Sequence, residues 1–265
     1  VNERTSPARI RNRMEKSLCH ESPGDVRLTP PFPAVTPSEN TPVMKPIHLV
    51  LSKPSERVPL CGSRFWGHPD LPRGYPYPCF PDTDGDPFEY TFICQINLSE
   101  VAPYDTEGRL PHRGLLSFFA KIEHYLGRFD GGDSLSGYIS EPEDVKVLFF
   151  PEVGSPGTPT DFQEMVLIDD RGRPIGPEEL RIDFSLQPSG RYCDEHALFA
   201  PPTHREWETW DPPFEDWEIL LQVDSFSGED FQLNFMDFGV LVFLIAPQDL
   251  ALGHFEQVRG IVLST

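Results

Sequence analysis

Phe92-Ile93-Cys94-Gln95-Ile96-Asn97-Leu98, followed by Gly114-Leu115-Leu116-Ser117-Phe118, has an echo far downstream. There the chain reads Ile219-Leu220-Leu221-Gln222-Val223-Asp224-Ser225, then Gly239-Val240-Leu241-Val242-Phe243. Each copy is a short run of Phe, Ile, Leu and Val followed by a second run opened by glycine, which predicts a pair of strands. The Gln-to-Gly spacing is 19 residues in one copy (95 to 114) and 17 in the other (222 to 239). Two copies are too few for a solenoid. They predict an internal duplication of a β-rich unit, with half-repeats over about 44–150 and 151–265 packed face to face.

Working outward, further strands are expected at Pro46–Leu51, Val145–Phe150, Glu164–Ile168 and Val258–Leu263, with the echoed runs spanning Tyr90–Ile96, Gly114–Ala120, Glu218–Val223 and Gly239–Ala246. Pro, Gly and Asp punctuate them. Brief helices are expected at Leu98–Val101, Pro177–Leu180 and Pro247–Leu252, the last with proline in a helix-starting position. The chain has 30 prolines in 265 residues, roughly twice the usual ~5%, which argues against a helical bundle. The fold class is α+β, mostly β.

Lys and Arg total 22 against 42 Asp and Glu, a formal charge of −20. Phosphates would be repelled, so a nucleic-acid binder is excluded. The longest apolar run, Val240–Ala246, is far short of a membrane span. Five cysteines (Cys19, Cys61, Cys79, Cys94, Cys193) contain no C-x-x-C pair, which argues against a zinc ribbon or redox dithiol. Scattered thiols and a polar, basic start with no apolar stretch point to the cytoplasm. Residues 1–43 hold seven prolines and read as a disordered extension or a mis-called start, with a short helix at Ile10–Leu18 and an extended linker at Thr29–Pro42. A single domain is expected over 44–265.

Candidate chemistry is sparse. In each echo a Gln and an Asn or Asp sit two apart, on one face of a strand. Gln95, Asn97, Gln222 and Asp224 either pin the backbone of neighbouring loops or line a groove between the halves. Asp224 and Asp237 could face one another across the second unit, although one carboxylate more often caps a loop. Asp82-Thr83-Asp84-Gly85-Asp86 resembles the start of a calcium loop, but Pro87 and Ile93 stand where an EF-hand needs Gly and Glu. A D-G hairpin turn explains it. There is no G-x-S-x-G, P-loop, G-x-G-x-x-G or H-E-x-x-H, and the scattered histidines suggest no metal site. No catalytic residue, cofactor or metal is assigned.

The stretch Thr203–Asp230 carries nine acids (Glu206, Glu208, Asp211, Glu215, Asp216, Glu218, Asp224, Glu229, Asp230) against Arg205, with Trp207, Trp210 and Trp217 interleaved. It reads either as solvated acidic loops with tryptophans tucked into the core, or as an anionic surface for a basic partner. On the second reading Glu206, Trp207, Glu208, Trp210 and Asp211 form the contact.

These segments together resemble a family. Ser63-Arg64-Phe65-Trp66-Gly67-His68-Pro69-Asp70-Leu71-Pro72 is similar to the entry motif of the YwqG-like family of bacterial proteins. Tyr77-Pro78, Phe92–Leu98, Leu110-Pro111 with Gly114–Phe119, Leu220–Ser225, Phe235–Ile245 and Pro247–Leu250 resemble its later motifs in order. Trp66, Met236 and Phe238 replace small residues, and Val240 replaces an arginine. The resemblance implies an α+β, largely β fold and no certified chemistry. Some members lie beside polymorphic-toxin genes, which implies an immunity role by association. The expectation is thus an acidic cytoplasmic binding protein, of immunity type, that neutralises a basic toxin or other protein. The alternative is a small-ligand-binding or enzymatic domain with a cleft at Gln95, Asn97, Gln222, Asp224 and Asp237, flanked by Arg64 and Trp66.

Overall fold

The computed structural model describes residues 45–81, 84–122, 138–153, 161–188, 190, 195–202, 210–227, 232–233, 235 and 239–263. The expected extension over 1–43 lies outside these residues, with its helix and linker. So do Cys19, Cys193, Glu206, Trp207, Glu208, Glu229, Asp230, Met236, Asp237 and Phe238.

In chain order the first strands are β1 (Ile47–Ser52), β2 (Arg64–Phe65), β3 (Asp70–Pro72), β4 (Cys79–Pro81), β5 (Pro87–Glu89) and β6 (Thr91–Asn97), followed by helix α1 (Leu98–Val101). Then come β7 (Leu115–Ala120), β8 (Val145–Phe150), β9 (Phe162–Glu164), β10 (Leu180–Ser185), β11 (Ala197–Leu198) and β12 (Glu218–Asp224). The chain continues through β13 (Phe226–Ser227), β14 (Gln232–Leu233), β15 (Val240–Ile245), helix α2 (Pro247–Leu252) and β16 (Arg259–Leu263). The mostly β, α+β expectation is met. The helices expected at Leu98–Val101 and Pro247–Leu252 are α1 and α2, whereas Leu180 opens a strand, so Pro177–Leu180 is not a helix. The aspartate-rich run after Pro81 joins β4 to β5, an antiparallel hairpin with Pro81 opposite Pro87.

Two bodies make up the chain, one of them 44–167 with 176–265. The described part of the other, Ile168–Ile175, is a tight turn. In it Asp169 accepts from the backbone N–H groups of Arg171 and Arg173 and pairs with the Arg173 guanidinium at 2.6 Å.

The larger body is built on one antiparallel sheet in the order β16-β15-β12-β11-β1-β10-β2-β6-β7-β8. A four-stranded arm therefore stands on each side of the β1–β10 pair. The arms match in detail. Each has a register shift next to its Gln, between Phe92 and Cys94 in β6 and between Ile219 and Leu221 in β12. Gln95 lies opposite Arg64, and Gln222 opposite Ala197. Just beyond the short inner strand of each arm the chain turns through a left-handed residue, Trp66 (φ 57) or Phe199 (φ 56). These residues donate their N–H to the carbonyls of the bulged Ile93 and Leu220. A bulged strand kinks and twists more tightly, and both arms do so at the same register. Strands β9 and β10 come from the later part of the chain yet pair with β3 and with β1 and β2, so the sequence halves interleave.

Both faces of β6, β7, β12 and β15 are buried, because their residues alternate between two apolar layers. Leu241, Phe243 and Ile245 of β15 enter the main core with Phe65, Phe118, Leu49 and Phe255. Val240, Val242 and Leu244 pack beneath Trp210, Phe214 and Trp217. Across the interior, the Phe118 ring of β7 meets Phe243 of β15 edge-on at 5.2 Å. Among the described residues no helix is long and apolar enough to cross a membrane.

Gly114 enters β7 at φ +108, and a Cβ there would lie 2.6 Å from the Phe149 ring and 2.8 Å from the Phe150 carbonyl oxygen. Gly114→Ala is expected to cost more than ~1 kcal/mol. The urea midpoint should fall with the slope unchanged.

Candidate functional site

Arg64 on β2 is 1% exposed and Asp70 on β3 is fully buried. Two charges leave water at high cost unless each is paired and fully hydrogen-bonded. Here Arg64 Nη2 lies 2.6 Å from Asp70 Oδ2. That oxygen also accepts from Cys61 N and from Gln95 Nε2, both at 2.7 Å. The Asp70 N–H in turn donates to Gln95 Oε1 at 2.9 Å. Arg64 Nη1 reaches Glu179 at 3.2 Å and Glu164 at 3.4 Å, and Arg57 closes on Glu164 from outside. Burial pushes the Asp70 carboxyl upward and the Arg64 guanidinium is the chief opposing influence. Burial also pushes the Cys61 thiol up to about 12 and lowers His68. A thiol so raised is a poor nucleophile. Chemically the cluster is a clamp.

The polar pairs on the echoed strands go to backbone. Gln95 Nε2 donates to the Gly62 carbonyl at 2.9 Å, and Asn97 Nδ2 to the Cys61 carbonyl at 2.9 Å. In the other arm, Gln222 Nε2 donates to the Glu195 carbonyl, and Asp224 Oδ2 accepts from Glu195 N. His196 Nδ1 accepts from Asp224 N at 3.2 Å. Each pair thus holds the segment that feeds its neighbouring short strand. Arg64 and Gln95 come together around Asp70, while Gln222 and Asp224 lie in the opposite arm, with β11, β1, β10 and β2 between. Trp66 is buried edge-on to Phe65 at 5.0 Å. Trp210 is 3% exposed and donates its indole N–H to the Trp217 carbonyl, whereas Asp211 is exposed.

A cavity of about 930 Å³ opens elsewhere, bounded by 108–113, the end of β8, the start of β12 and α2. The 108–113 segment is held by Asp105, whose buried carboxylate accepts from Leu110 N at 2.8 Å. Helix α2 starts on Pro247 and stops at Gly253 in the left-handed region, its N–H returning to the last turn. Arg109 lies over the Phe199 ring at 3.6 Å and donates to the Lys45 carbonyl at 3.0 Å. Glu107 and Asp105 stand 3.4 and 3.9 Å from its Nε. Glu218 faces the cavity half-buried; burial raises its pKa, against the pull of Arg109 and with further raising by Glu107 and Asp216. His112 and Arg113 are exposed on the rim and make no ion pair among the described residues. No group of three or more metal-binding side chains occurs among the described residues.

The sequence patterns do not reveal this cavity, which joins segments more than a hundred residues apart. Its one local signal is Arg109, His112 and Arg113 within five positions of an acidic chain.

A family model described as a domain of unknown function (DUF1963) matches residues 63–208 and 194–262. These spans contain Arg64, Asp70, Gln95, Glu164, Glu179 and the cavity lining, while Cys61 and Arg57 lie just before them. No curated protein matches the chain.

Removing Asp70 takes from Arg64 its fully buried partner and leaves only the longer contacts to Glu179 and Glu164. Asp70→Ala is therefore expected to lose about 3–5 kcal/mol in urea unfolding, while Asp211→Ala on the exposed turn should change stability by less than ~0.5 kcal/mol.

Proposed function

The chain belongs to this family of unknown function, DUF1963, and from that premise we propose that it is a binding protein whose ligand occupies the cavity between 108–113 and α2. The observation that carries this reading is the cavity itself. Its size of about 930 Å³ falls within the ~300–1,000 Å³ usual for small-molecule sites. Apolar walls from Leu110, Phe149 and Leu250 meet a few polar groups, the mixture that buries a ligand and orients it. Among the described residues its lining has no Ser, Thr, Cys or Lys, and its ionisable groups are Arg109, His112, Arg113 and Glu218. Binding is the activity it supports.

A groove at the Gln/Asp strands has a weaker basis, since those side chains are engaged with backbone. One further reading draws on a separate feature. Asp211, Glu215 and Asp216 are exposed on a turn anchored from below by Trp210 and Trp217. This supports an acidic face for a basic protein such as a toxin domain, in an immunity-type role in the cytoplasm. We also place the chain among the YwqG-like proteins on the order of its motifs, and we derive both arms from one duplicated unit on their matching registers.

Two measurements separate the readings. For the cavity, a thermal-shift panel of neutral, cationic and anionic small molecules should include a class that raises Tm by several degrees. Ala251→Trp, which fills the rim from an exposed helix position, should abolish that shift. A panel with no hit, or a shift unaltered by the tryptophan, contradicts the proposal. For the acidic face, charge reversal at Glu206, Glu208 and Asp211 should slow association with a basic partner and flatten its salt dependence. An unchanged salt profile removes that reading.

A further inference from the structure

Charge is distributed unevenly around the cavity. The chain carries 42 acids for 22 Lys and Arg, yet the rim presents Arg113 and His112 with no ion pair among the described residues. The Arg109 charge is already answered by Glu107 and Asp105. Arg113 is therefore the permanent cation of the lining that no carboxylate neutralises among the described residues. Facing the cavity from the start of β12 stands Glu218.

The rest of the lining is apolar and fixed. Phe149 packs edge-on against Phe255 at 5.2 Å, and Leu250 is the buried residue of α2. Leu252 is 63% exposed on the same rim. A large aliphatic side chain left in water on the same rim as an uncompensated guanidinium matches a ligand with both properties.

Resting on the cavity reading above, we infer that the ligand is a monoanionic amphiphile: one carboxylate on an apolar body, for which a ten-carbon chain serves as the probe. The carboxylate meets Arg113, whose planar fork suits two oxygens, and the apolar body lies along Leu252, Leu250 and Phe149. A dianion is disfavoured. One uncompensated cation balances one charge, and a second negative charge would face Glu218 without a counter-ion. A cation is disfavoured at the rim by Arg113, and Glu218, half-buried at the start of β12, is the group it would have to reach.

The test uses the full chain and four probes sharing a ten-carbon body, each kept below its micelle-forming concentration: decanoate, decyl phosphate, decanol and decyltrimethylammonium. Calorimetric titration near neutral pH should rank decanoate tightest. Arg113→Ala should weaken decanoate about tenfold or more and leave decanol unchanged, and Arg113→Lys should recover part of the lost affinity. Arg113 is exposed, so neither variant strips a buried contact. Decanol or the ammonium binding as tightly as decanoate, with Ala251→Trp still blocking it, overturns the carboxylate assignment and leaves the cavity reading standing. An equal or higher affinity for decyl phosphate, or an Arg113→Ala variant that binds decanoate normally, overturns it too. Failure of decanoate to bind overturns it outright, and the broader panel then decides the fate of the cavity reading.

Discussion

The buried contact between Arg64 and Asp70 is the constraint on which the first arm of the sheet depends. Moving two charges out of water costs several kcal/mol per ion, and attraction offsets that only where remaining donors and acceptors are occupied. While Asp70 Oδ1 and Arg64 Nε have no hydrogen-bond partner among the described residues, Asp70 Oδ2 accepts from Arg64, Cys61 and Gln95 at once. Because those partners lie on β2, on the loop before it and on β6, the pair fixes three segments against one another. Glu164 on β9 and Glu179 just before β10 extend the same network to the later part of the chain. A purely apolar substitute could fill the space but would not specify which strands meet.

The second arm reaches the same register by other means. Ala197 stands where Arg64 does in the first arm, opposite the corresponding Gln. Its feeding segment is held without an arginine: Gln222 donates to the Glu195 carbonyl, the Asp224 carboxylate accepts from Glu195 N, and Asp224 N donates to His196 Nδ1. Matching strands with unlike clamps leave the functional differences to the connections. In the first arm β6 leads through α1 and 108–113 to β7, and in the second β15 leads through α2 to β16. Those two connections bound the cavity. The sheet supplies a rigid frame, and the recognition groups sit on the segments it positions.

Much of the sheet is legible in the sequence because its principal strands are apolar runs with clear punctuation at both ends. Val145–Phe150 matches its strand end to end, and the other long expectations shift by a residue or two, whereas of the expected Glu164–Ile168 only Glu164 lies in a strand, as the end of β9. Strands β2, β3 and β11 are not legible for a physical reason: two or three residues cannot display a period. Strand β10 mixes Arg181 and Asp183 with Leu180, Ile182 and Phe184, and its polar face disguises it as the end of a helical turn. The same-face Gln and Asn or Asp pairs are legible as needing partners, and the loops that receive them are one of the two destinations open to such pairs. Trp210 is legible as an anchor, although its place is under β15 and not on the surface. The cavity is illegible because no local pattern announces a space shared by residues 108–113, 149–151, 218 and 247–253.

The central claim is that the polar groups of the strands hold the fold while the connections bind the ligand. Hydrogen–deuterium exchange with and without saturating decanoate tests it most directly. The account predicts slowed exchange over 108–113 and 247–253, with the amides of 61–70, 95–97 and 222–224 unchanged. Protection centred on 61–70 or 222–224, with the cavity segments unaltered, would contradict it.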